Sequence, residues 1–571
     1  MARPARRNPR DRKAVAQPAS GAKASVPASH SKRDVLVWVV LLALAAGMVV
    51  WIHATRFFFQ WTDEQIHLYV ARRVSEGAVL YRDIESARPP LILFPATLLI
   101  KLGLSPLLAG RALVVASQFA TAGLLFWGGW RLASLRAGGL AALLFLLSPE
   151  VATRIHYTGI QIVTLAVLAC VLLSLRRRPF LAGLACGGAL GAGQHAVVIC
   201  GVAGAGLTTR RWRDGVWFVL GTLLATIVIF GGAWGLGGRN LWDNLVGRHL
   251  YHFKGNSPGN SEIWALFVPW LYEHMPLLLF CLAALTVPRK VKAIDSNPSP
   301  RWTVGFLLIA VAAHVAVTLS MAGGLFLYVV VVTPLLALLA GFGVDGMVEW
   351  FKRQSRLSAA QGRRTLRITL VLGTVAIALS GGAWAAARAR QEHRDDSHYS
   401  FWPHIRHGEM GRLQKLDVAN RVAVGLSALP KNRPLFGYPT IVSAVALAGG
   451  WRVAGELADL APRWIEQGTV SREEITSRIE RDGVAALVTP PWNLTRDPYF
   501  KAYLSSCYGP PTIFSPPSNQ PGEGIPDILV FRHLDQASPC QVTMPSVSPR
   551  IPFAAHAGAQ APFDRPPFRP N

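Results

Sequence analysis

Long apolar runs without charge constrain the fold of this chain more than any other feature. Many windows of about 15 to 22 residues hold no charged side chain, and charged residues make up only 16% of the sequence. A helix of this length crosses a bilayer with its backbone groups bonded internally. We therefore predict an α-helical polytopic membrane protein with about eleven transmembrane helices. The predicted spans are 35–53, 107–130, 137–151, 159–175, 179–194, 195–209, 214–237, 265–287, 303–320, 324–346 and 368–387.

The net charge of +26 indicates topology rather than nucleic-acid binding. With the basic N-terminus placed in the cytoplasm, the Lys and Arg clusters between spans all fall on one face, as the positive-inside rule requires. This agreement needs 91–103 to be an interfacial or re-entrant helix, because one more span would move Arg176–Arg178 outside. Two long outside loops then follow, at 54–106 and 238–264. The Gly-rich region 179–209 favours two helices broken at Gln194-His195.

Composition divides the chain into a membrane domain between two tails and a further folded domain. Residues 1–34 are basic and rich in Pro, Ala and Ser, which predicts a disordered cytoplasmic tail. The transmembrane domain occupies 35–387, and a small exocytoplasmic α/β domain is predicted at 388–540. The Pro-rich residues 541–571 are predicted to be disordered.

The α/β prediction rests on short local patterns. The stretches PLFGY, AALVTP and ILVFRHL are typical of strands. Ser471–Asp482 is typical of a helix, with Ser471 as its N-cap and Glu474 completing a capping box. Cys507 and Cys540 could pair if this domain is exocytoplasmic.

The first outside loop begins with an acidic pair, Asp63-Glu64, in the stretch WTDEQIHLYVARRVSEG. Its apolar residues recur at helical spacing, which indicates an amphipathic helix lying on the membrane. The alternative is that the two acids only cap and charge the first turn of a surface helix.

Arg88-Pro89-Pro90 follows in the same loop, directly before an apolar helix. Proline cannot continue a helix, so Arg88 is held at a chain reversal. A guanidinium at headgroup depth suits a phosphate, and a nearby carboxylate such as Asp83 could take a proton from a hydroxyl. The alternative for Arg88 is a snorkelling anchor. Arg111, near the start of the 107–130 span, is either a second phosphate ligand or an anchor.

Several further side chains could face a substrate cavity on the outer side. They are Tyr81, His156, Tyr157, His195 and Tyr328. Lone histidines are more often structural groups than ligands. No metal-ligand spacing and no Asp-x-Asp occurs, so no metal and no cofactor are predicted.

The loop pattern resembles that of polyprenyl-phosphate-sugar-dependent glycosyltransferases of the GT-C superfamily. The similarity is to bacterial family-39-like enzymes, which resemble protein O-mannosyltransferases and the lipid A aminoarabinose transferase. It covers about 35–540 and includes LAALLFLLSPEVA, GLFLYVVVVTPLLALLAG and the stretch that begins FGYPTIVSAVALAGG. The residues that carry it are Asp63-Glu64, Gly77, Tyr81, Asp83 and Arg88-Pro89-Pro90-Leu91.

The resemblance implies a reaction and roles for these residues. An acid of the Asp63-Glu64 pair, with Asp63 preferred, would be the general base that activates an acceptor hydroxyl. Arg88, where the family usually has Lys, would neutralise the departing polyprenyl phosphate, with Arg111 as a possible second ligand. Asp83 would orient Arg88 or the sugar.

We therefore predict a glycosyltransferase that moves a sugar from a polyprenyl phosphate to an envelope lipid, polysaccharide or protein, with inversion. Its predicted location is the cytoplasmic membrane of a bacterium. The rival hypotheses are a secondary transporter or lipid flippase, and a catalytically inactive lipid-binding scaffold. The spans are nearly free of acids and the functional charges gather in one outside loop, which favours the enzyme over the transporter.

Overall fold

The fold is given by a computed structural model that describes residues 32–55, 63–148, 150–151, 155–247, 267, 270–271, 274–286, 300–320, 325–357, 418–457, 471–490, 497–514 and 528–534. Three sequence predictions lie outside these residues: most of the N-terminal tail, the span 368–387 and the tail 541–571.

Apolar helices follow one another through the first part of the chain. They are α1 (Lys32–Thr55), α2 (Glu64–Ser75), α3 (Pro90–Lys101), α4 (Pro106–Leu132), α5 (Leu135–Leu146), α6 (Ile160–Leu175), α7 (Pro179–Ala192), α8 (Val197–Thr208), α9 (Trp212–Thr226), α10 (Gly232–Gly237), α11 (Met275–Thr286), α12 (Pro300–Ser320) and α13 (Thr333–Leu357). A π-helical turn, Ile227–Gly231, joins α9 to α10, and a 3-10 segment, Leu325–Val332, leads into α13.

Five helical segments among the described residues are long and apolar enough to cross a membrane. They are Arg33–Ala54, Pro106–Leu132, Trp212–Gly237, Trp302–Leu319 and Tyr328–Trp350. Shorter apolar helices accompany them, including α5, α6, α7 and α8. The chain is thus a mainly α-helical polytopic membrane protein with a small sheet, as the apolar runs predict.

The structure also bears on two finer predictions about the helices: the break at Gln194-His195 is confirmed, and 91–103 is too short a helix to span, while its interfacial or re-entrant position stays a prediction. The 91–103 segment forms α3, whose 12 residues extend for about 18 Å at 1.5 Å per residue, well short of a bilayer core of about 30 Å. Pro90 occupies its first turn, where a missing N–H is harmless. The 179–209 region is two helices, separated by the 3-10 turn Gln194–Ala196.

Glycines let neighbouring membrane helices approach closely. A Cβ on Gly138 of α5 would collide with the backbone of Phe126 in α4. A Cβ on Gly183 of α7 would collide with the backbone of Phe218 in α9. Small residues at helix contacts are the usual means by which helices pack without a hydrophobic driving force. The glycine content of the spans is therefore used for packing.

The C-terminal part forms an α/β unit. Its elements are α14 (Val418–Gly425), β1 (Leu435–Gly437), α15 (Pro439–Gly449), α16 (Arg472–Asp482), β2 (Ala486–Thr489), α17 (Pro498–Cys507), β3 (Thr512–Phe514) and β4 (Ile528–Arg532). The strand order is β1-β2-β4-β3, with β1 parallel to β2 and the other pairs antiparallel. Leu435 pairs with Ala486, and Val488 pairs with Val530.

The three strands and the one helix predicted for this unit are present, but helices α14, α15 and α17 were not predicted. The predicted capping box is only half formed, because the Glu474 carboxylate accepts from Arg478 instead of from the Ser471 amide. The three predicted strands are β1, β2 and β4, and the Ser471 hydroxyl caps α16 by accepting from the Glu474 amide at 3.0 Å. The missed strand is β3, a short and largely exposed edge strand that lacks an apolar alternation. Cys507 is disulfide-bonded. Its predicted partner, Cys540, lies outside the described residues.

Helix α2 is not a membrane-surface helix, and that interpretation of its amphipathic pattern is wrong. All eight residues from Glu64 to Ala71 are buried. Leu68 packs in a cluster with α3 and α4, whereas Tyr69 packs with Val442 and Val445 of α15. The C-terminal unit therefore packs against the part of α2 that carries Tyr69, one of the apolar positions that the pattern assigns to the membrane.

Candidate active site

Asp63 and Arg88 meet at the junction of α2 and α3. Asp63 is the N-cap of α2, and its Oδ2 accepts a hydrogen bond from Arg88 Nη2 at 2.8 Å. Both side chains stay accessible, with 49% of the Asp63 side chain and 24% of the Arg88 side chain exposed. An exposed carboxylate beside a guanidinium offers a proton acceptor and an anion ligand in one place.

The loop before Arg88 is held by Tyr81. This residue has a left-handed φ of 69°, which is uncommon for a non-glycine residue. Its amide donates to the Ile84 carbonyl at 3.1 Å, and its phenol donates to the Arg88 carbonyl at 2.5 Å. Tyr81 is 1% exposed, so it fixes the backbone of Arg88 rather than lining an open cavity.

Glu64 lies next to Asp63 in sequence but in a different environment. It is fully buried, and its Oε2 lies 3.0 Å from Nη2 of Arg111, which is itself 3% exposed. The Tyr157 amide donates to Glu64 Oε1 at 2.8 Å. The Arg111 guanidinium also donates to the Ile155 carbonyl at 2.5 Å. This buried ion pair ties α2, α4 and the segment before α6 together.

His156 borders the Glu64–Arg111 pair. Its Nδ1 lies 3.4 Å from Glu64 Oε2 and 3.3 Å from Arg111 Nη2. A guanidinium only donates, so Nδ1 either accepts from Arg111 or carries a proton and donates to Glu64, depending on the tautomer. Tyr157 donates its phenol proton to the Ile92 carbonyl, and its own carbonyl lies 3.0 Å from His67 Nδ1.

The pKa of Glu64 reflects these neighbours. Burial alone raises the pKa of this carboxyl, but the Arg111 charge, His156 and the Tyr157 amide together bring it below its ordinary value. Glu64 is therefore ionised at neutral pH, and its oxygens are occupied by bonds that hold the structure.

Asp83 closes its own turn. Its carboxylate accepts from the Val79 amide at 2.8 Å and from Arg82 Nε at 2.8 Å. The Arg82 hydrogen bond and then the Val79 amide lower the pKa of Asp83 to about 2. Both partners belong to the turn itself, and the structure does not give Asp83 the contact with Arg88 that would orient that side chain.

His195 and Tyr328 form a second group near the α7–α8 break. Their rings stack with centroids 4.0 Å apart, and His314 Nε2 lies 2.9 Å from the Tyr328 carbonyl. Gly191, at the end of α7, packs against Leu91 at the start of α3.

Metal-ligand clusters are absent from the part of the chain that the structure describes: no group of three or more His, Cys, Asp or Glu side chains there is arranged to hold a metal ion. The expectation that no metal is needed stays a prediction.

The whole architecture is similar to that of solved membrane enzymes. ArnT from Cupriavidus metallidurans, bound to undecaprenyl phosphate, superposes with a TM-score of 0.59 at 14% identity, covering 88% of this chain and 99% of that one. Its apo form gives 0.58 at 15% identity, covering 87% and 98%. A weaker likeness, with a TM-score of 0.46 at 11% identity, is to the oligosaccharyltransferase AglB of Archaeoglobus fulgidus, covering 87% and 76%.

The chain has the GT-C fold. No protein-family model and no curated protein sequence matches it. The resemblance that the loop motifs carry is thereby confirmed at the level of the fold.

In this GT-C fold, several site contacts were not visible from the sequence. Glu85 lies 2.9 Å from Arg478 of α16, and Tyr69 and Arg73 of α2 both bind Glu456 of the C-terminal unit. Their separations of 393, 387 and 383 residues leave no local pattern to detect. The pKa of Tyr438, the residue before α15, is raised by burial and by the Asp63 charge.

Proposed function

We propose that this protein is a membrane glycosyltransferase that moves a sugar from a polyprenyl phosphate to an envelope acceptor. The observation that carries the proposal is the accessible Asp63–Arg88 pair, with 2.8 Å between Oδ2 and Nη2, at the start of the short apolar helix α3. The GT-C fold shared with ArnT, which binds undecaprenyl phosphate, supports a donor of the same class.

The reaction requires a base and an anion ligand. Asp63 takes the proton of the acceptor hydroxyl while the oxygen attacks the anomeric carbon. The bond from that carbon to the phosphate oxygen breaks, and the electron pair leaves with the polyprenyl phosphate. Arg88 neutralises the charge that develops there, because a guanidinium binds phosphate oxygens through several N–H groups and carries a permanent positive charge. Attack from the face opposite the phosphate inverts the anomeric centre.

The two neighbouring acids, Asp63 and Glu64, thus have different roles. Asp63 is the base because it is exposed and next to Arg88, whereas Glu64 is buried against Arg111. We assign Arg111 to the support of Glu64 rather than to the phosphate, because its guanidinium is 3% exposed and already bonded. Asp83 is assigned to its own turn by its bonds to Val79 and Arg82.

The remaining candidates are assigned by their surroundings. Tyr81, His156 and Tyr157 support the backbone and the Glu64–Arg111 pair. We assign the stacked His195 and Tyr328, near the α7–α8 break, to the border of the donor lipid or sugar. No role in the reaction is assigned to a metal or an organic cofactor.

The proposed location is a bacterial cytoplasmic membrane, with the site on the outer face. Arginines at the opposite end of the helices from α2 stack on tryptophans, as interfacial belts do: Arg176 lies 5.2 Å from the Trp127 ring and Arg210 lies 3.2 Å from the Trp302 ring. The Cys507 disulfide fits an oxidising compartment for the C-terminal unit. Both features agree with the positive-inside topology.

The decisive test is sugar transfer from radiolabelled polyprenyl-phosphate sugars to cell-envelope acceptors. Membranes would contain wild type, Asp63→Asn or Asp214→Asn at matched levels. Asp214 lies in the first turn of α9, away from the site, and makes the same chemical change. We expect transfer with wild type and Asp214→Asn, and a loss of roughly a hundredfold or more with Asp63→Asn.

Equal transfer by all three proteins would exclude Asp63 as the base. Lack of transfer by wild type with every donor would contradict the enzyme hypothesis and favour a transporter, a flippase or an inactive scaffold. Vesicle-based uptake of the same labelled lipids would then separate the transporters from the scaffold.

A further inference from the structure

A buried carboxylate in the C-terminal unit holds the catalytic helix. Glu456 is 6% exposed and accepts hydrogen bonds from the Tyr69 phenol at 3.0 Å and from Arg73 Nε at 2.9 Å. Arg452 adds a third donor at 2.9 Å. We call Tyr69, Arg73 and Glu456 the clamp.

One residue of the clamp has a strained backbone conformation. Glu456 has a left-handed φ of 53°, and Gly455 before it has 57°. This conformation is unfavourable for a residue with a Cβ and persists only where the surroundings determine it. The surroundings here are the donors from α2 together with Arg452. The left-handed turn thus presents the Glu456 carboxylate to α2.

Tyr69 is held from two sides. Its hydroxyl donates to Glu456 and accepts from the Val453 amide at 2.7 Å, and the side chain is fully buried. Burial and the neighbouring Glu456 charge raise the pKa of the phenol, so it stays a neutral donor. Helix α2 is thus fixed in rotation as well as in position.

The same unit holds the other member of the site. Ala87, the residue before Arg88, is buried in the cluster formed by Phe436, Leu457 and Phe500. Glu85 is paired with Arg478 at 2.9 Å. Both the helix that carries Asp63 and the loop that carries Arg88 are therefore attached to the C-terminal unit.

We propose that the C-terminal unit positions the active site, with the clamp setting the place of Asp63 against Arg88 through α2. The inference rests on the proposed function and deepens it. Tyr69 and Glu456 are positioning residues, because they act through α2 and touch no reacting atom. Misplacement of a reacting group by about 1 Å lowers rates by roughly a hundredfold, so loosening the clamp is expected to lower turnover.

The test compares Tyr69→Phe with Tyr503→Phe in the full-length protein. Tyr503 makes a matched bond, donating its phenol to Glu480, but wholly within the C-terminal unit. Steady-state transfer should show kcat about 10- to 100-fold lower in Tyr69→Phe, with the KM for the lipid donor within about twofold, because Arg88 and the lipid contacts are retained. Tyr503→Phe should match wild type in both constants.

Hydrogen exchange measured by mass spectrometry provides a readout independent of transfer. Peptides covering 63–70 should exchange faster in Tyr69→Phe than in wild type or Tyr503→Phe. Unchanged exchange in Tyr69→Phe would overturn the proposal, even if the chain proved not to be a transferase. Faster exchange with unchanged kcat would overturn it as well, because the clamp would then be structural only. Equal losses in both variants would indicate general destabilisation and contradict a specific effect on α2.

Discussion

The buried Glu64–Arg111 pair gives a quantitative prediction about stability. Replacing Arg111 with Met leaves a carboxylate buried without its cation, and replacing Glu64 with Gln leaves a guanidinium in the same position. Removing one partner of a buried pair costs about 3–5 kcal/mol. Both partners are at most 3% exposed, so solvent screening does not reduce this magnitude.

The double variant should recover most of that loss. Glu64→Gln with Arg111→Met removes both charges, and Gln can still accept from the Tyr157 amide that now bonds Glu64 at 2.8 Å. Replacement of a complete buried pair by neutral groups of similar volume is often nearly neutral. We expect a cost of about 1 kcal/mol for the double variant, which gives a coupling free energy of roughly 5 kcal/mol or more between the two positions.

The assay is a double-mutant cycle on wild type, the two single variants and the double variant. Reversible SDS unfolding in mixed micelles gives the free energy of unfolding of each. A coupling below about 1 kcal/mol would show that the two side chains do not stabilise the fold as a pair. Turnover per folded molecule supplies an independent check: Glu64→Gln should lose far less than Asp63→Asn, and the reverse order would make Glu64 the base.

Two further outcomes follow from the site. Arg88→Lys keeps the positive charge but loses the planar guanidinium, so kcat/KM should fall about tenfold, whereas Arg88→Ala should lower it roughly a hundred- to a thousandfold. If steady-state transfer falls equally in both variants, charge alone is insufficient and the guanidinium geometry is essential. The pKa of Glu64 is lowered in the folded state, so the stability that the ionised carboxylate contributes is complete above its ordinary pKa of 4.5 and is lost as pH falls through the folded-state pKa. The free energy of unfolding should therefore fall less on acidification in the Glu64→Gln, Arg111→Met double variant than in wild type.

Most of the fold could be predicted from the sequence because its signals are local. Apolar run length predicts helices that suit a membrane, Pro90 predicts a helix start, and Gln194-His195 predicts a break. The N-cap at Ser471 and the apolar runs of β1, β2 and β4 are equally local. The edge strand β3 was missed because an exposed strand of 3 residues carries no periodicity.

The loop motif also selected both Asp63 and Arg88 as site candidates, although they are 25 positions apart in the chain, but it proposed Asp83 and not Asp63 to orient Arg88. It preferred Asp63 to Glu64 only by resemblance, since two neighbouring acids are chemically alike. It did not reveal the buried state of α2, because the polar face of this helix resembles one that meets water.

Tertiary structure decided these points. Adjacent helical residues point about 100° apart, so packing against α4 buries Glu64 beside Arg111 while Asp63 stays at the accessible junction with Arg88. The C-terminal unit covers α2 through Tyr69 and Glu456, which are 387 residues apart. The helices, the sheet elements and the charged loop follow from the amino-acid order alone, because they depend on near neighbours. Which acid is accessible follows only from the folded chain, because burial and charge pairing depend on residues that are distant in sequence.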